Sequence, residues 1–190
     1  MNNLLKLAKN NHSFLSELIK RKNEFDWQVQ GFGMLKIYLT KEVRLHFWDS
    51  RLKVPNVSTI HNHPWDFTSL VLKGELCNIL YQEVEGEKCN YEKALIRCGE
   101  QAATMEAPIR VQLKEVSRVT YGKGEYYSEL AEKLHESCPK DSAITIVERY
   151  PKQDPDHASV FWPIGTNWVN ATPRTATREE IDMVLENAKS

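Results

Sequence analysis

His61 and His63 stand two apart in His61-Asn62-His63-Pro64-Trp65-Asp66-Phe67, directly ahead of the apolar run Thr68-Ser69-Leu70-Val71-Leu72-Lys73-Gly74. Side chains alternate faces along an extended chain, so residues two apart point the same way. Both imidazoles can then reach one ion at about 2.0–2.1 Å. The competing reading is a pair of surface or core-edge histidines. A metal site needs a third ligand, and the other histidines are His12, His46, His135 and His157. His135, in Leu134-His135-Glu136-Ser137, is the best of these. It lies just upstream of Ala143–Tyr150, a strand-like run, and so at a strand edge or turn from which it would close a site across a barrel. An exposed turn histidine is its alternative.

The remaining candidates divide the same way. His46 alternates with Leu45 and Phe47, and reads as a hydrogen-bonded sheet histidine or as a residue behind the ligands. His157 reads as a surface residue. Asp66 follows Pro64 by two and is either a turn residue bonding its own backbone or a carboxylate that orients a ligand histidine. Trp65 reads as packing before pocket wall. Cys138, three after His135, makes a weak zinc-type H-x-x-C, with Pro139 and the lack of a second pair against it.

Those residues need elements to hold them. Leu4, Leu7, Phe14, Leu15, Leu18 and Ile19 recur at helical spacing, which predicts one or two helices over 3–22, broken near Asn10-Asn11. From 34 to 150 the texture is short β-branched and aromatic bursts: 34–40, 42–48, 69–82, 90–96, 115–121, 125–131 and 143–150. Gly86, Gly99, Gly122 and Gly124 punctuate them, and Gly74 marks a bend or bulge. Many short strands without strand–helix alternation predict an antiparallel sandwich or barrel. Residues 151–176, rich in Pro, Trp and Asn, read as a loop over the sheet pinned by Phe161, Trp162 and Trp168. Thr177 and Glu180 form a capping box that opens a last helix over 178–188.

Composition excludes some functions. The chain has 190 residues, 41% hydrophobic and 27% charged, with a net charge of −1. That suits one soluble domain. No basic stripe exists to neutralise phosphates, so nucleic acid is excluded as main partner. No apolar run nears the roughly 20 residues that cross a bilayer, and the first residues do not read as a signal peptide. Cys77, Cys89, Cys98 and Cys138 form no C-x-x-C pair and read as reduced thiols in a cytoplasmic protein. A P-loop, a nucleophile elbow and a dinucleotide fingerprint are absent; Lys36 stands where Gly31-Phe32-Gly33 would need another glycine.

His61, His63 and Gly74, followed by the later lone His135, resemble the cupin superfamily of small jelly-roll barrels with one internal metal. The first cupin motif runs Gly, five residues, H-x-H, three or four residues, Glu, six residues, Gly. Here Phe67 or Thr68 stands at the Glu position and Pro55 at the leading Gly. Cupins without that Glu often hold the metal by three histidines, as thiol dioxygenases related to cysteine dioxygenase do. The chain is similar to that group in H-x-H leading into S-L-V-L-K-G-E-L, and in L-H-E-S followed by A-I-T-I-V-E-R-Y-P. Thr68 occupies the place of their cross-linked cysteine, so the cross-link is expected to be absent.

The resemblance implies an all-β fold: a cupin-type jelly-roll barrel with N-terminal and C-terminal helices. It implies a single domain over 1–190, with a helical extension at 1–30, a barrel core at 34–150, and an aromatic loop and helix at 151–190. His61, His63 and His135 would hold one divalent metal, Fe(II) first, with Zn, Ni or Mn as alternatives. The expected reaction is dioxygenase-like oxidation of a small-molecule substrate with dioxygen. Arg44 and Asp66 are the candidate catalytic residues; Arg97, Arg110 and Arg118 compete with Arg44 for a substrate carboxylate. Two alternatives stay open: a non-oxidative metal cupin (isomerase, decarboxylase or lyase) and a non-catalytic ligand-binding cupin. Edge strands and apolar faces fit a homodimer, and no membrane partner is expected.

Overall fold

The computed structural model describes residues 3–86, 88–97, 107–151, 157–169 and 172–189. Cys98 and Gly99 lie outside them; Cys77, Cys89 and Cys138 are free thiols. Two helices open the chain, α1 (Asn3–Asn10) and α2 (Phe14–Lys20). Asn11 breaks them, its side-chain oxygen accepting from the Ser13 N–H at 3.0 Å. Among the described residues eleven strands follow: β1 (Gln28–Gln30), β2 (Phe32–Tyr38), β3 (Val43–Lys53), β4 (Ile60–His61), β5 (Trp65–Val84), β6 (Tyr91–Arg97), β7 (Ile109–Tyr121), β8 (Tyr126–Glu129), β9 (Leu134–Pro151), β10 (His157–Pro163) and β11 (Arg174–Thr175). The chain closes with α3 (Arg178–Lys189). None of the described helices is long and apolar enough to cross a membrane.

The fold is all-β and antiparallel. β9 pairs with β4, β4 with β10, β10 with β6, β6 with β7, β7 with β5, and β5 again with β9. That ring closes a barrel, and closure removes the unpaired edges that open sheets expose. β3, β2, β1 and β11 extend outward from β9 in that order.

Alternation sorts the residues of β2, β3 and β9 onto two buried faces. Leu35, Ile37, Leu45, Phe47, Ile144 and Ile146 face one way, into a cluster with Leu5, Leu18 and Leu185 of the helices. Met34, Lys36, Arg44, His46, Trp48 and Val147 face the other way and line the barrel cavity. The sheet is thus covered on both sides, and these strands read as near-continuous buried runs.

Gly74 bends β5. It has φ +75°, and a Cβ there would lie 2.2 Å from the Ser142 carbonyl oxygen. Residues 69–82, read as two strands or one bent one, belong to one 20-residue strand whose register shifts at 71/73 and 74/76. The capping box forms as expected: Thr177 N–H donates to Glu180 Oε2 at 2.9 Å, and Glu180 N–H to Thr177 Oγ1 at 3.3 Å.

The expected loop at 151–176 is corrected in part. β10 runs through it, pairing with β6 over seven residues, and Phe161 is buried in the core under the sheet. The run Ala158-Ser159-Val160-Phe161-Trp162 has ample β propensity, but proline-rich and asparagine-rich flanks hide it. β9 likewise starts at Leu134, well before the expected 143, so His135 is a strand residue rather than a turn residue.

Candidate metal centre

His61, His63 and His135 come together in the lining of the cavity, each offering a nitrogen within 4.8 Å of the others. β10 places the first two. Val160 is in register with His61. Beyond it Asn62 N–H donates to the Ser159 carbonyl at 3.1 Å, and Asn62 Oδ1 accepts from Ser159 N–H at 2.6 Å. Asn62 thus turns toward β10 and the flanking histidines turn inward, although β4 itself ends at His61. His63 N–H donates to the Ala131 carbonyl at 3.1 Å. His135 is opposite His61 on β9.

Their hydrogen bonds settle the tautomers. A carbonyl can only accept, so His61 Nδ1, 2.9 Å from the Thr59 oxygen, carries its proton there. His135 Nδ1 meets Asn78 Oδ1 at 3.0 Å. Asn78 is oriented by Glu129, whose carboxylate accepts from Nδ2 at 2.8 Å. Both rings therefore turn an unprotonated Nε2 inward, the arrangement that presents imidazole to a metal. His135 Nε2 lies 3.0 Å from His63 Nε2. Two ligands at right angles on one ion, each at about 2.1 Å, would be about 3.0 Å apart. The three nitrogens thus make a donor set of the kind that holds a divalent ion, with the His63–His135 pair already at that spacing.

The surroundings keep the rings neutral. Phe67 packs against His63 and His135 at 5.5 Å each, and Phe32 stacks on His61 at 5.1 Å. Desolvation, then the other histidines and Arg44, holds His63 and His135 well below the usual imidazole range. His61 is lowered too, first by desolvation. Phe67 thus sets an aromatic ring against two of the three candidate ligands.

The cavity, about 600 Å³, receives Arg44, His46, Trp65 and Tyr127 as well. Trp65 is a cavity wall: its ring stacks on His63 at 4.0 Å, and the Arg44 guanidinium lies 4.6 Å from its centroid. Asp66 stands outside the lining. It accepts from the Ala131 N–H at 2.7 Å, bracing the residue whose carbonyl holds His63. Arg118 pairs with Glu115 on the surface, and Thr68 bonds Ser128 on the exposed side of β5. His157 is exposed at the start of β10, away from the cavity. Sequence reasoning missed Asn78, Lys36 and Arg149. Lys36 had a signal, a cation between Leu35 and Ile37 in a strand otherwise apolar on both faces; Arg149, beside Glu148 near the end of a strand with many polar residues, had none.

No family model matches the chain, and no curated protein matches it. Solved structures similar to it include the Drosophila melanogaster CENP-C cupin domain, 14% identical, covering 67% of this chain and 76% of that one at a TM-score of 0.35. KdgF from Halomonas sp. is 16% identical, covering 70% and 92%, also at 0.35. Hydroquinone 1,2-dioxygenase from Sphingomonas sp. TTNP3 is 9% identical, covering 58% and 60%, at 0.31. Likenesses this distant bear no weight here, and the barrel rests on its own strand pairings.

Proposed function

We propose that the protein is a metal-dependent cupin in which His61, His63 and His135 hold one Fe(II), and that it oxidises a small molecule with dioxygen. The convergence of three neutral imidazoles, two with Nδ1 protons tied to fixed acceptors, in the lining of one cavity carries this reading. Bound Fe(II) would supply a redox-active centre with coordination positions left for substrate and dioxygen. The chain's residues do the rest. Asn78 and the Thr59 carbonyl fix which nitrogen His135 and His61 offer. Phe32, Trp65 and Phe67 exclude water and hold the rings in place. Arg44, 4.6 Å from the Trp65 ring that stacks on His63, would bind the substrate. Tyr127, its hydroxyl pushed up to about 12 by burial, stays protonated at the cavity wall and can donate a hydrogen bond.

Three neutral histidine ligands also suit Zn as a Lewis acid. Oxygen uptake separates the two chemistries. Protein purified anaerobically and loaded with Fe(II) is expected to consume oxygen with thiol or 1,3-dicarbonyl substrates. Turnover of such substrates with Zn and without oxygen uptake would favour the non-oxidative reading.

A further inference from the structure

A second constellation lies on the inner faces of β2, β3 and β9. Lys36, Arg44 and Arg149 line the same cavity as the three histidines. Strand register gathers them: Lys36 is opposite His46 and Tyr38 opposite Arg44, while Arg44 is opposite Val147, two residues before Arg149. Lys36 is 5% exposed and Arg44 8%. Neither Asp nor Glu appears among the described residues of the lining.

The cluster lacks partners to match its charge. Lys36 Nζ donates to Gln30 Oε1 at a long 3.4 Å. Arg149 Nη2 donates to the Lys41 carbonyl. Nε of Arg44, Nε of Arg149 and Nε2 of His46 are buried without a hydrogen-bond partner among the described residues. Burial, then Arg44 and Arg149, pushes the Lys36 ammonium down to about 7. Buried charge without a counterion is costly, and such arrangements mark functional sites. Guanidinium forks match oxyanions by geometry as well as charge.

We propose that this wall recognises a compact, doubly charged oxyanion group of the substrate, phosphate-like or dicarboxylate-like, held by Arg44 and Arg149 with Lys36 and His46 as further donors. Two guanidiniums on one wall call for two negative charges. The anion site stands on its own residues; that the anion belongs to the substrate rests on the proposed metal reading. Trp65 links the two sites, since the indole facing Arg44 also stacks on His63. An anion held at the wall leaves the rest of a small molecule beside the histidines.

Calorimetric titration of metal-free protein at pH 7 with sulfate tests the site apart from the metal. Sulfate is expected to bind once per chain, about tenfold or more tighter than acetate, with the same preference after metal loading. Lys36→Met and, separately, the half-buried Arg149→Met are expected to weaken it by about tenfold while thermal unfolding stays cooperative. Absence of sulfate binding, equal affinity for acetate, or unchanged binding in folded Lys36→Met and Arg149→Met would overturn the proposal. Metal stoichiometry, measured on the same samples, reports on the histidine reading separately.

Discussion

Asn78 decides which nitrogen His135 presents, and that decision is worth measuring. Removing a group that orients a metal-binding histidine typically costs 10–100-fold in metal affinity. Asn78→Ala is expected to weaken metal binding by about that factor in a chelator competition, with the barrel still folded. Lys36 makes a second test. The unfolded chain holds its proton up to the usual lysine range near 10.5, whereas the folded chain releases it at about 7. The unfolded state therefore binds more protons between those values, and stability rises with pH across that window. The groups facing Lys36 are Arg44, His46, Tyr38 and Arg149, and burial lowers Arg44 as well, to about 10, at the top of that window. Lys36→Met should abolish this part of the slope and be more stable than wild type at pH 6 by a few kcal/mol, read by urea unfolding at both ends of the window. The histidine pair was legible because H-x-H is a local spacing. Asn78 was not, because its partner His135 is 57 residues away and meets it only through the pairing of β5 with β9.

Strands and bends set these meetings, and Gly74 is the sharpest local requirement. A side chain at φ +75° is strained, and here the Cβ would also strike the Ser142 carbonyl. Gly74→Ala should cost about 2 kcal/mol or more in thermal unfolding, by loosening the β5–β9 register that carries His135. At the other end, Thr177→Ala removes an N-cap and should cost about 1 kcal/mol without altering metal content. Glycine and the capping box were readable because they are answers to local geometry. β10 was hidden because its three β-forming residues, Val160, Phe161 and Trp162, sit between proline-rich and asparagine-rich flanks. Its pairing with β4 is a tertiary fact that no window of sequence contains.

At the scale of the whole molecule, one sheet separates two environments. Helices and apolar side chains cover one face of β2, β3 and β9, and the cavity with its histidines and cations covers the other. Ile146→Ala, on the helix side at full burial, should lose about 2–5 kcal/mol of stability yet keep metal binding unchanged. The barrel class was legible from many short apolar bursts, whereas the sidedness of the cations required knowing which face the helices cover. Metal analysis of anaerobically purified protein is the most direct measurement. One ion per chain is expected in the wild type, with loss of that ion in folded His61→Ala and His135→Ala. A wild-type protein without stoichiometric metal after Fe(II) loading, or a folded His135→Ala that keeps the full complement, would contradict the three-histidine centre.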